Sequence, residues 1–210
     1  MSDGREPLPP ETFRELLRRE LPRFGLPPAE DPVERLARFL SELDRWRGRI
    51  NLTGSLSSAD LVAHTAESLL GAPLLPEGAR VVDIGTGGGF PGVPLAIGRP
   101  DLQMTWLEPR EKRAAFLRHL VRTIPVKNAR VVSDRIENLG DAVFEYATSR
   151  AVNPNVFHRV GFLAPGGALI LWTTSRQGIL SELADSGLRP EEKIAIPGSR
   201  QRTITLLRKG

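Results

Sequence analysis

The sequence predicts an α/β protein, with a mostly parallel sheet, an antiparallel last strand and an N-terminal helical extension. Three observations predict it. Strand-like and helix-like apolar runs alternate from residue 80 to residue 186, which indicates parallel strands joined by crossover helices. The C-terminal segment departs from this alternation, and amphipathic helical stripes occupy most of the first 70 residues.

Three amphipathic helices are predicted in the N-terminal segment, over about 13–24, 31–46 and 57–70. Asp31 is expected to cap the second helix, with Pro32 at its first position. A proline- and glycine-rich joint follows at 71–78. We therefore expect two units, namely a helical extension over residues 1–77 and an α/β domain over residues 78–210.

The α/β domain is predicted to alternate regularly. Strands are expected at 80–84, 102–107, 129–132, 143–148 and 167–172, and helices at 91–98, 111–123, 154–162 and 176–186. Two further strand-like runs, Lys193–Ile196 and Thr203–Leu207, are joined by only a few residues. Because that connection is too short for a crossover, these two strands must be antiparallel.

Composition excludes several kinds of site. The chain has 210 residues and no cysteine, so disulfides, thiolate metal sites and a cysteine nucleophile are all excluded. The first residues are polar, and no apolar run approaches the roughly 18 residues that a membrane span requires. We expect a cytoplasmic monomer with no metal and no membrane partner.

Charge is unevenly distributed along the chain. Residues 1–77 carry a net charge of −3, whereas residues 78–210 carry +7. A basic excess on one domain favours a polyanionic partner such as RNA. Arginine far outnumbers lysine, so genome composition is an equally good explanation of this excess.

The segment from Arg80 to Gly92, with the sequence RVVDIGTGGGFPG, is the most informative part of the chain. A β-branched run ends at an acid, glycines follow at alternate positions, and an apolar helical stretch begins behind Pro91. This order predicts a strand, a tight turn and a helix. Glycines in such a turn accept positive φ, and the free N–H groups at the helix start face the same cleft. We therefore expect a ligand to lie across this loop.

The spacing of the glycines distinguishes two classes of ligand. A dinucleotide fingerprint fits poorly, because the frame that starts at Gly85 has Phe90 at its sixth position. Asp83-x-Gly85-x-Gly87-x-Gly89 instead resembles the first motif of S-adenosylmethionine-dependent methyltransferases. Glu108 ends the next predicted strand about 20 residues later, where an acid can accept both ribose hydroxyls. The alternative for Glu108 is an ordinary surface carboxylate.

Two blocks carry a more specific resemblance. They are Trp46 to Thr53 (WRGRINLT) with His64 to Leu69 (HTAESL), and Asp83 to Ile97 with Lys112-Arg113 and Phe116-Leu117. From Trp46 to Ala151 the chain resembles the small-subunit ribosomal RNA guanine-N7 methyltransferase family, also called glucose-inhibited division protein B. That resemblance implies a Rossmann-like class I methyltransferase fold, which has a reversed last strand. It also implies S-adenosylmethionine as cofactor and small-subunit ribosomal RNA, or the ribosomal particle, as substrate.

The resemblance also implies roles for individual residues. The cofactor would be held by Gly85, Gly87 and the Phe90 backbone at the methionine end, Glu108 at the ribose, and Ile136 and Glu137 at the adenine. Arg150 would contact the cofactor and act at the reacting centre, and the RNA would be contacted by Asn51, His64, Arg110 and Arg113. The alternatives are purely structural roles, namely a core position for Ile136, a hydrogen-bonded packing role for His64, and a turn or cap for Asn51.

Two departures from the family pattern bear on the target. Glu67 stands where the family usually has aspartate, which is a mild change, and the segment Leu171-Trp172-Thr173-Thr174-Ser175 appears where the family usually has a Lys-Gly pair after the fifth strand. A cation that could contact RNA phosphate is therefore missing, which leaves the exact nucleotide open.

The chemistry of the target nucleotide also leaves alternatives. Guanine N7 has a lone pair and no proton, which suits a site without an obvious base. Methylation of an exocyclic amine is a weaker alternative, because the segment Asn153-Pro154-Asn155-Val156 lacks the second proline and the aromatic residue of the usual motif. Competing classes are a methyltransferase of a small molecule or protein, a non-catalytic RNA-binding module, and a nicotinamide dehydrogenase.

Overall fold

A computed structural model describes residues 6–140, 143–150, 154–157, 160–174 and 179–210 of the chain. Its centre is a seven-stranded sheet with the strand order β3-β2-β1-β4-β5-β7-β6. The strands are β1 (Arg80–Ile84), β2 (Gln103–Leu107), β3 (Ala129–Val132), β4 (Phe144–Arg150), β5 (Leu163–Thr174), β6 (Leu188–Ala195) and β7 (Arg202–Lys209). Strands β1 to β5 pair in parallel, and β7 pairs antiparallel to both β5 and β6.

The predicted C-terminal hairpin is confirmed, and both of its strands are longer than predicted. In β6, the added residues from Leu188 onwards are mostly exposed and polar, so they show no apolar alternation in the sequence.

Strand β5 is also longer than predicted, since it begins at Leu163 rather than at residue 167. Gly166 has a φ of +68° in this strand. A glycine with positive φ is typical of a turn, so the sequence pattern does not indicate that the strand begins before it.

Three helices form the N-terminal extension, as predicted: α1 (Pro10–Glu20), α2 (Glu30–Arg47) and α3 (Ser58–Leu69). Ser57 and Asp60 form a reciprocal capping box that fixes the start of α3. The predicted N-cap of α2 is wrong. The cap position is Ala29, and Asp31 lies inside the first turn, where it pairs with Arg35 at 2.5 Å.

The crossover helices of the first half are α4 (Gly92–Gly98) and α5 (Glu111–Thr123), close to the predicted bounds. The helix predicted over 154–162 is wrong in its described part, because Pro154–Phe157 is a 3₁₀ turn and the backbone N–H of Phe144 donates to Phe162 O. Residues 158 and 159 lie outside the described part. The helix predicted over 176–186 is reduced in its described part to α6 (Ile179–Glu182) and a 3₁₀ turn at Ala184–Ser186. Residues 176–178 lie outside the described part.

Apolar side chains cover both faces of the sheet. One face packs against α1 to α5, with Phe13, Phe39 and Trp106 among its fully buried side chains. The other face carries a smaller cluster that includes Ile84, Ile136 and Phe157. The N-terminal helices therefore share one core with the sheet, and a boundary at residue 77 stays a prediction. No described helix is long and apolar enough to cross a membrane.

Candidate cofactor and RNA site

The glycine loop joins β1 to α4 at the carboxyl edge of the sheet. Gly85 and Gly87 have φ values of +72° and +55°, which side chains rarely adopt. The backbone N–H groups of Gly85 and Thr86 donate to Leu107 O at 2.8 and 3.2 Å, so the end of β2 anchors the loop. The predicted strand, turn and helix are confirmed. The backbone is thus held where no Cβ separates it from the cleft.

Asp83 lies beneath this loop and is completely buried. Its Oδ2 accepts from the Gly92 N–H at 3.1 Å, and its Oδ1 accepts from Thr148 Oγ1 at 2.8 Å. Burial raises the pKa of Asp83 to about 7 despite these hydrogen bonds. Because both oxygens are engaged within the fold, Asp83 supports the loop and the start of α4.

Glu108 is only 3% exposed, so the surface-carboxylate alternative is wrong. Its Oε2 accepts from the Gly87 N–H and its Oε1 accepts from the Arg110 N–H, both at 2.9 Å. The side chain therefore lies directly behind the glycine loop. Contact between this carboxylate and a ribose stays a prediction.

A cavity of about 330 Å³ opens beside the loop at the carboxyl ends of β1 and β2. Four of the predicted site residues line it together, namely Gly85, Arg110, Ile136 and Glu137. Ligands of open α/β sheets bind at this edge, near the point where the strand order reverses, here between β1 and β4. A larger groove of about 750 Å³ lies at the opposite, amino ends of β1 to β3 and includes no predicted site residue.

Phe90 and His64 lie on the other flank of the loop. The Phe90 ring is 9% exposed and contacts Phe39 and His64, with ring centroids 5.4 and 5.8 Å apart. Burial, followed by the charges of Arg150 and Arg202, lowers the pKa of His64 to about 3. His64 is therefore neutral at pH 7, and its edge-on contact with Phe90 supports a packing role.

Asn51 and Arg113 are in direct contact near the glycine loop. Asn51 Oδ1 accepts from the Gly54 N–H at 3.0 Å, which confirms the turn interpretation for that side chain. Arg113 Nη2 donates to Asn51 O at 2.9 Å. The first turn of α5 and the loop before α3 thus form one rim of the site. RNA contact by Asn51, His64, Arg110 and Arg113 stays a prediction.

Arg150 has a structural partner that sequence reasoning missed. Its Nη2 donates to Oε2 of Glu67 at 2.7 Å, and Arg202 pairs with the other oxygen of the same carboxylate. Glu67 is completely buried on α3. The direction of β7 was the available signal, because an antiparallel last strand starts at the carboxyl edge and brings Arg202 there. The role of Arg150 at the reacting centre stays a prediction.

Comparison with known proteins agrees with this geometry. The family model described as rRNA small subunit methyltransferase G matches residues 32–161, more than half of the chain. The chain belongs to that family. Curated relatives named ribosomal RNA small subunit methyltransferase G include one from Stenotrophomonas maltophilia, 37% identical over 89% of this chain and 82% of the relative. Another, from Neisseria meningitidis, is 31% identical over 93% and 98%.

Coverage of the relatives varies. The match to the Desulfotalea psychrophila relative is 42% identical but spans 57% of this chain and 58% of that protein, and the match to the Chromobacterium violaceum relative spans 66% of that protein. In the longer matches, such as the Neisseria one, nearly the whole chain is aligned.

Solved structures share the fold at low sequence identity. A SAM dependent methyltransferase from Aquifex aeolicus superposes with a TM-score of 0.58 at 15% identity, covering 69% of this chain and 89% of that one. The ribosomal protein L11 methylase from Lactobacillus delbrueckii gives 0.59 at 14% identity, covering 74% and 81%. The predicted class I methyltransferase fold and the predicted family are confirmed.

Proposed function

We propose that this protein transfers the methyl group of S-adenosylmethionine to N7 of a guanine in small-subunit (16S) ribosomal RNA. The observation that carries the proposal is the site itself: a glycine loop with positive φ, backed by buried Glu108 and open to a 330 Å³ cavity. Membership of a ribosomal RNA methyltransferase family supports the choice of substrate.

The residues around the cavity fit S-adenosylmethionine. Gly85, which lines the cavity, and Gly87 would hold the methionine portion, and the buried Glu108 behind the loop would accept from ribose hydroxyls. Ile136 and Glu137 line the cavity and would offer the adenine an apolar surface and a hydrogen-bond acceptor. The cavity volume is within the range of small-molecule sites. When bound, the cofactor supplies an electrophilic methyl group on a sulfonium.

The ionisable groups near the loop fit a nucleophile that has no proton to lose. Asp83 is buried beneath the loop with both oxygens hydrogen-bonded, and His64 is neutral and packed on Phe90. Guanine N7 needs neither as a base, because its lone pair is free. The chain then contributes mainly alignment of the guanine with the methyl group. Such positioning is worth roughly 7–11 kcal/mol of barrier in favourable cases.

The charge distribution supports a polyanionic substrate. Residues 78–210 carry the net charge of +7, and Arg110 and Arg113 stand at the start of α5 beside the glycine loop. Phosphate contacts of such arginines position an RNA strand without reading its sequence. A methyltransferase of a small molecule would not need this basic rim.

Mapping the methyl group tests the proposal. Purified protein is incubated with labelled S-adenosylmethionine and either 16S RNA or assembled small subunits from a strain that lacks this chain. We expect 7-methylguanosine by mass spectrometry of the nucleosides, and strand cleavage after borohydride reduction and aniline treatment. Glu108→Ala, which should bind the cofactor more weakly, serves as the matched control of reduced activity. Label on an exocyclic amine, or on no RNA, would overturn the proposal.

Amine methylation is the second candidate that this test addresses. Asn153, the first residue of the segment that could serve amine methylation, lies outside the described residues. The rest of that segment belongs to a 3₁₀ turn over Pro154–Phe157, and its Val156 lines the 330 Å³ cavity. A label on the N2 amine would therefore direct attention to that turn.

A further inference from the structure

An ion cluster joins α3 to the carboxyl edge of the sheet. The Glu67 carboxylate pairs with Arg150, at the end of β4, and with Arg202, at the start of β7. Trp172 of β5 donates its Nε1–H to the backbone O of Glu67 at 2.7 Å. Three strands thus converge on one helical residue. Because Glu67 is completely buried, removing either partner would leave part of its charge without compensation.

This cluster carries a surplus positive charge. A small cavity of about 100 Å³ lies beside it, and of the described residues that line it Glu67 is negative while Arg150 and Arg202 are positive. Glu67 is completely covered, whereas 37% of the Arg202 side chain is exposed. The surplus charge is therefore presented to solvent at Arg202.

The positive charges of Arg150 and Arg202 also act on His64, a neighbouring side chain. Burial lowers the pKa of His64, and these two positive charges lower it further. Asp60 opposes this effect, but it is exposed and its carboxylate accepts from Ser57, so solvent screens its charge.

The cluster lies at the carboxyl edge of the sheet, the edge that carries the glycine loop. Arg202 is opposite Thr174 in the β5–β7 register, and Arg150 is opposite Trp172 in the β4–β5 register. Both arginines therefore stand at the carboxyl ends of the parallel strands, at the same edge as the glycine loop. Thr173 and Thr174 add hydroxyl groups to the lining of the small cavity.

We propose that Arg202, positioned by Glu67, binds a phosphate group of the RNA strand next to the target nucleotide, at the small cavity that it shares with Arg150 and Thr173. The identity of the polyanion rests on the proposed function. A guanidinium held by one carboxylate keeps further N–H donors for a phosphate, and charge-assisted hydrogen bonds of this kind are strong. Glu67 is a positioning residue in this arrangement, since it is covered and cannot reach the RNA.

Salt dependence of RNA binding tests the assignment on the full chain. The affinity for the 16S RNA substrate is measured between 50 and about 200 mM salt for the wild type, Arg202→Gln and Arg202→Lys. Arg202→Gln should bind at least about tenfold more weakly and lose about 0.7 from the slope of log K against log salt, the contribution of one single-stranded phosphate contact. Arg202→Lys should keep most of the salt dependence of binding, because lysine retains the positive charge.

Arg208→Gln is the matched control. Arg208 lies on the same strand and is also paired with a glutamate, Glu191, but it stands at the opposite end of β7. This variant should retain the wild-type slope. S-adenosylmethionine affinity should be unchanged in all three variants, which separates loss of a phosphate contact from damage to the cofactor site.

A chemical change in the RNA gives an independent readout on the unmodified protein. A single methylphosphonate linkage on the 5′ or 3′ side of the target guanosine removes one phosphate charge. At one of the two linkages, the methylphosphonate should weaken RNA binding by the wild type about as much as the Arg202→Gln substitution does. The same linkage should weaken RNA binding by Arg202→Gln little further. Equal losses in both proteins at each linkage, or a wild-type slope for Arg202→Gln, overturns the assignment. Absence of methyl transfer to RNA would instead overturn the proposed function.

Discussion

The backbone N–H of Gly87 donates to Oε2 of Glu108 at 2.9 Å, so the acid that follows the second strand holds the loop that follows the first. The same carboxylate also accepts from the Arg110 N–H and thereby fixes the start of α5. Glu108 is thus both a candidate ribose acceptor and a brace for the cofactor loop. These two roles reinforce each other, because a preorganised loop loses less freedom on binding.

Glu108→Ala should weaken S-adenosylmethionine binding about tenfold to a hundredfold, since hydrogen bonds to charged groups are worth roughly 1.5–3 kcal/mol. Titration calorimetry measures the effect. Glu111→Ala is the control, because Glu111 lies in the first turn of α5 but is exposed and pairs with Arg118 outside the cavity. Equal dissociation constants for wild type and Glu108→Ala would show that the carboxylate contacts no ribose.

The cofactor class itself gives a second prediction. The protein should bind S-adenosylmethionine or its demethylated product and bind NAD far more weakly, because the glycine frame and the antiparallel β7 are not those of a dinucleotide domain. Parallel titrations with each ligand compare the affinities. A clear preference for NAD would contradict the assignment of the loop.

Gly92→Ala should destabilise the fold. A Cβ at this position would lie 2.5 Å from Asp83 Oδ2 and 2.9 Å from Trp106 Cδ1, both in fully buried side chains. Overpacking of this kind costs typically about 1–3 kcal/mol. Urea unfolding measures the loss. Gly161→Ala is the control, since nothing lies within 4 Å of its Cβ position, and it should change the free energy of unfolding little.

Asp83 should make stability depend on pH. Its pKa in the fold is raised from 3.8 to about 7, so the folded state binds more protons than the unfolded chain between those values. The free energy of unfolding should therefore fall as pH rises through this window, by at most about 1.4 kcal/mol per pH unit. Below the window, and above it, the contribution of Asp83 should be flat.

Comparison with Asp83→Asn isolates that contribution, because His64 titrates with the opposite sign. The His64 pKa is lowered in the fold, so its contribution to stability is lost as pH falls. An asparagine can still accept from the Gly92 N–H and contact Thr148. The difference in unfolding free energy between wild type and Asp83→Asn should shift in favour of Asp83→Asn from pH 4 to pH 7. A constant difference would show that Asp83 stays ionised.

The accuracy of the sequence predictions followed the kind of signal available. The glycine loop, the first three strands and the C-terminal hairpin were predictable, because local patterns specify them: β-branched runs, turn glycines and short connections. The start of β5 and the polar first half of β6 were not, since exposed side chains and glycines remove the apolar alternation there. The cap of α2 was misplaced by two residues, because Asp31 also suits an ion pair within the first helical turn.

Long-range polar contacts were the main omission at the site. Glu67 and Arg202 are 135 positions apart, and only the assembled sheet brings them to one carboxyl edge. Glu67 was visible in the sequence as a departure from the family pattern, but its partners were not. The place of Glu108 beside the glycine loop, in contrast, was predictable, because the two follow neighbouring strands about 20 residues apart, and its ribose contact stays a prediction.

Arg150 and Arg113 should have separable roles in methyl transfer. Arg150 is largely covered, and its Nη1 has no hydrogen-bond partner among the described residues although Nη2 is held by Glu67. If Arg150 stands at the reacting centre, as the sequence predicts, this buried donor would contact a group there. Arg113 instead lies on the exposed rim with Asn51, where phosphates would be contacted.

Arg150→Ala should therefore lower the single-turnover rate of methyl transfer even at saturating RNA and cofactor. Arg113→Ala should chiefly weaken RNA binding and reduce its salt slope, because phosphate contacts are screened by added salt. Arg150→Ala also removes one of the two cations that pair with the buried Glu67, which affects folding. Arg150→Lys keeps that charge and therefore tests the need for a guanidinium without loss of the ion pair. If Arg150→Lys folds as the wild type does and transfers at the normal rate, a guanidinium at the reacting centre is not required.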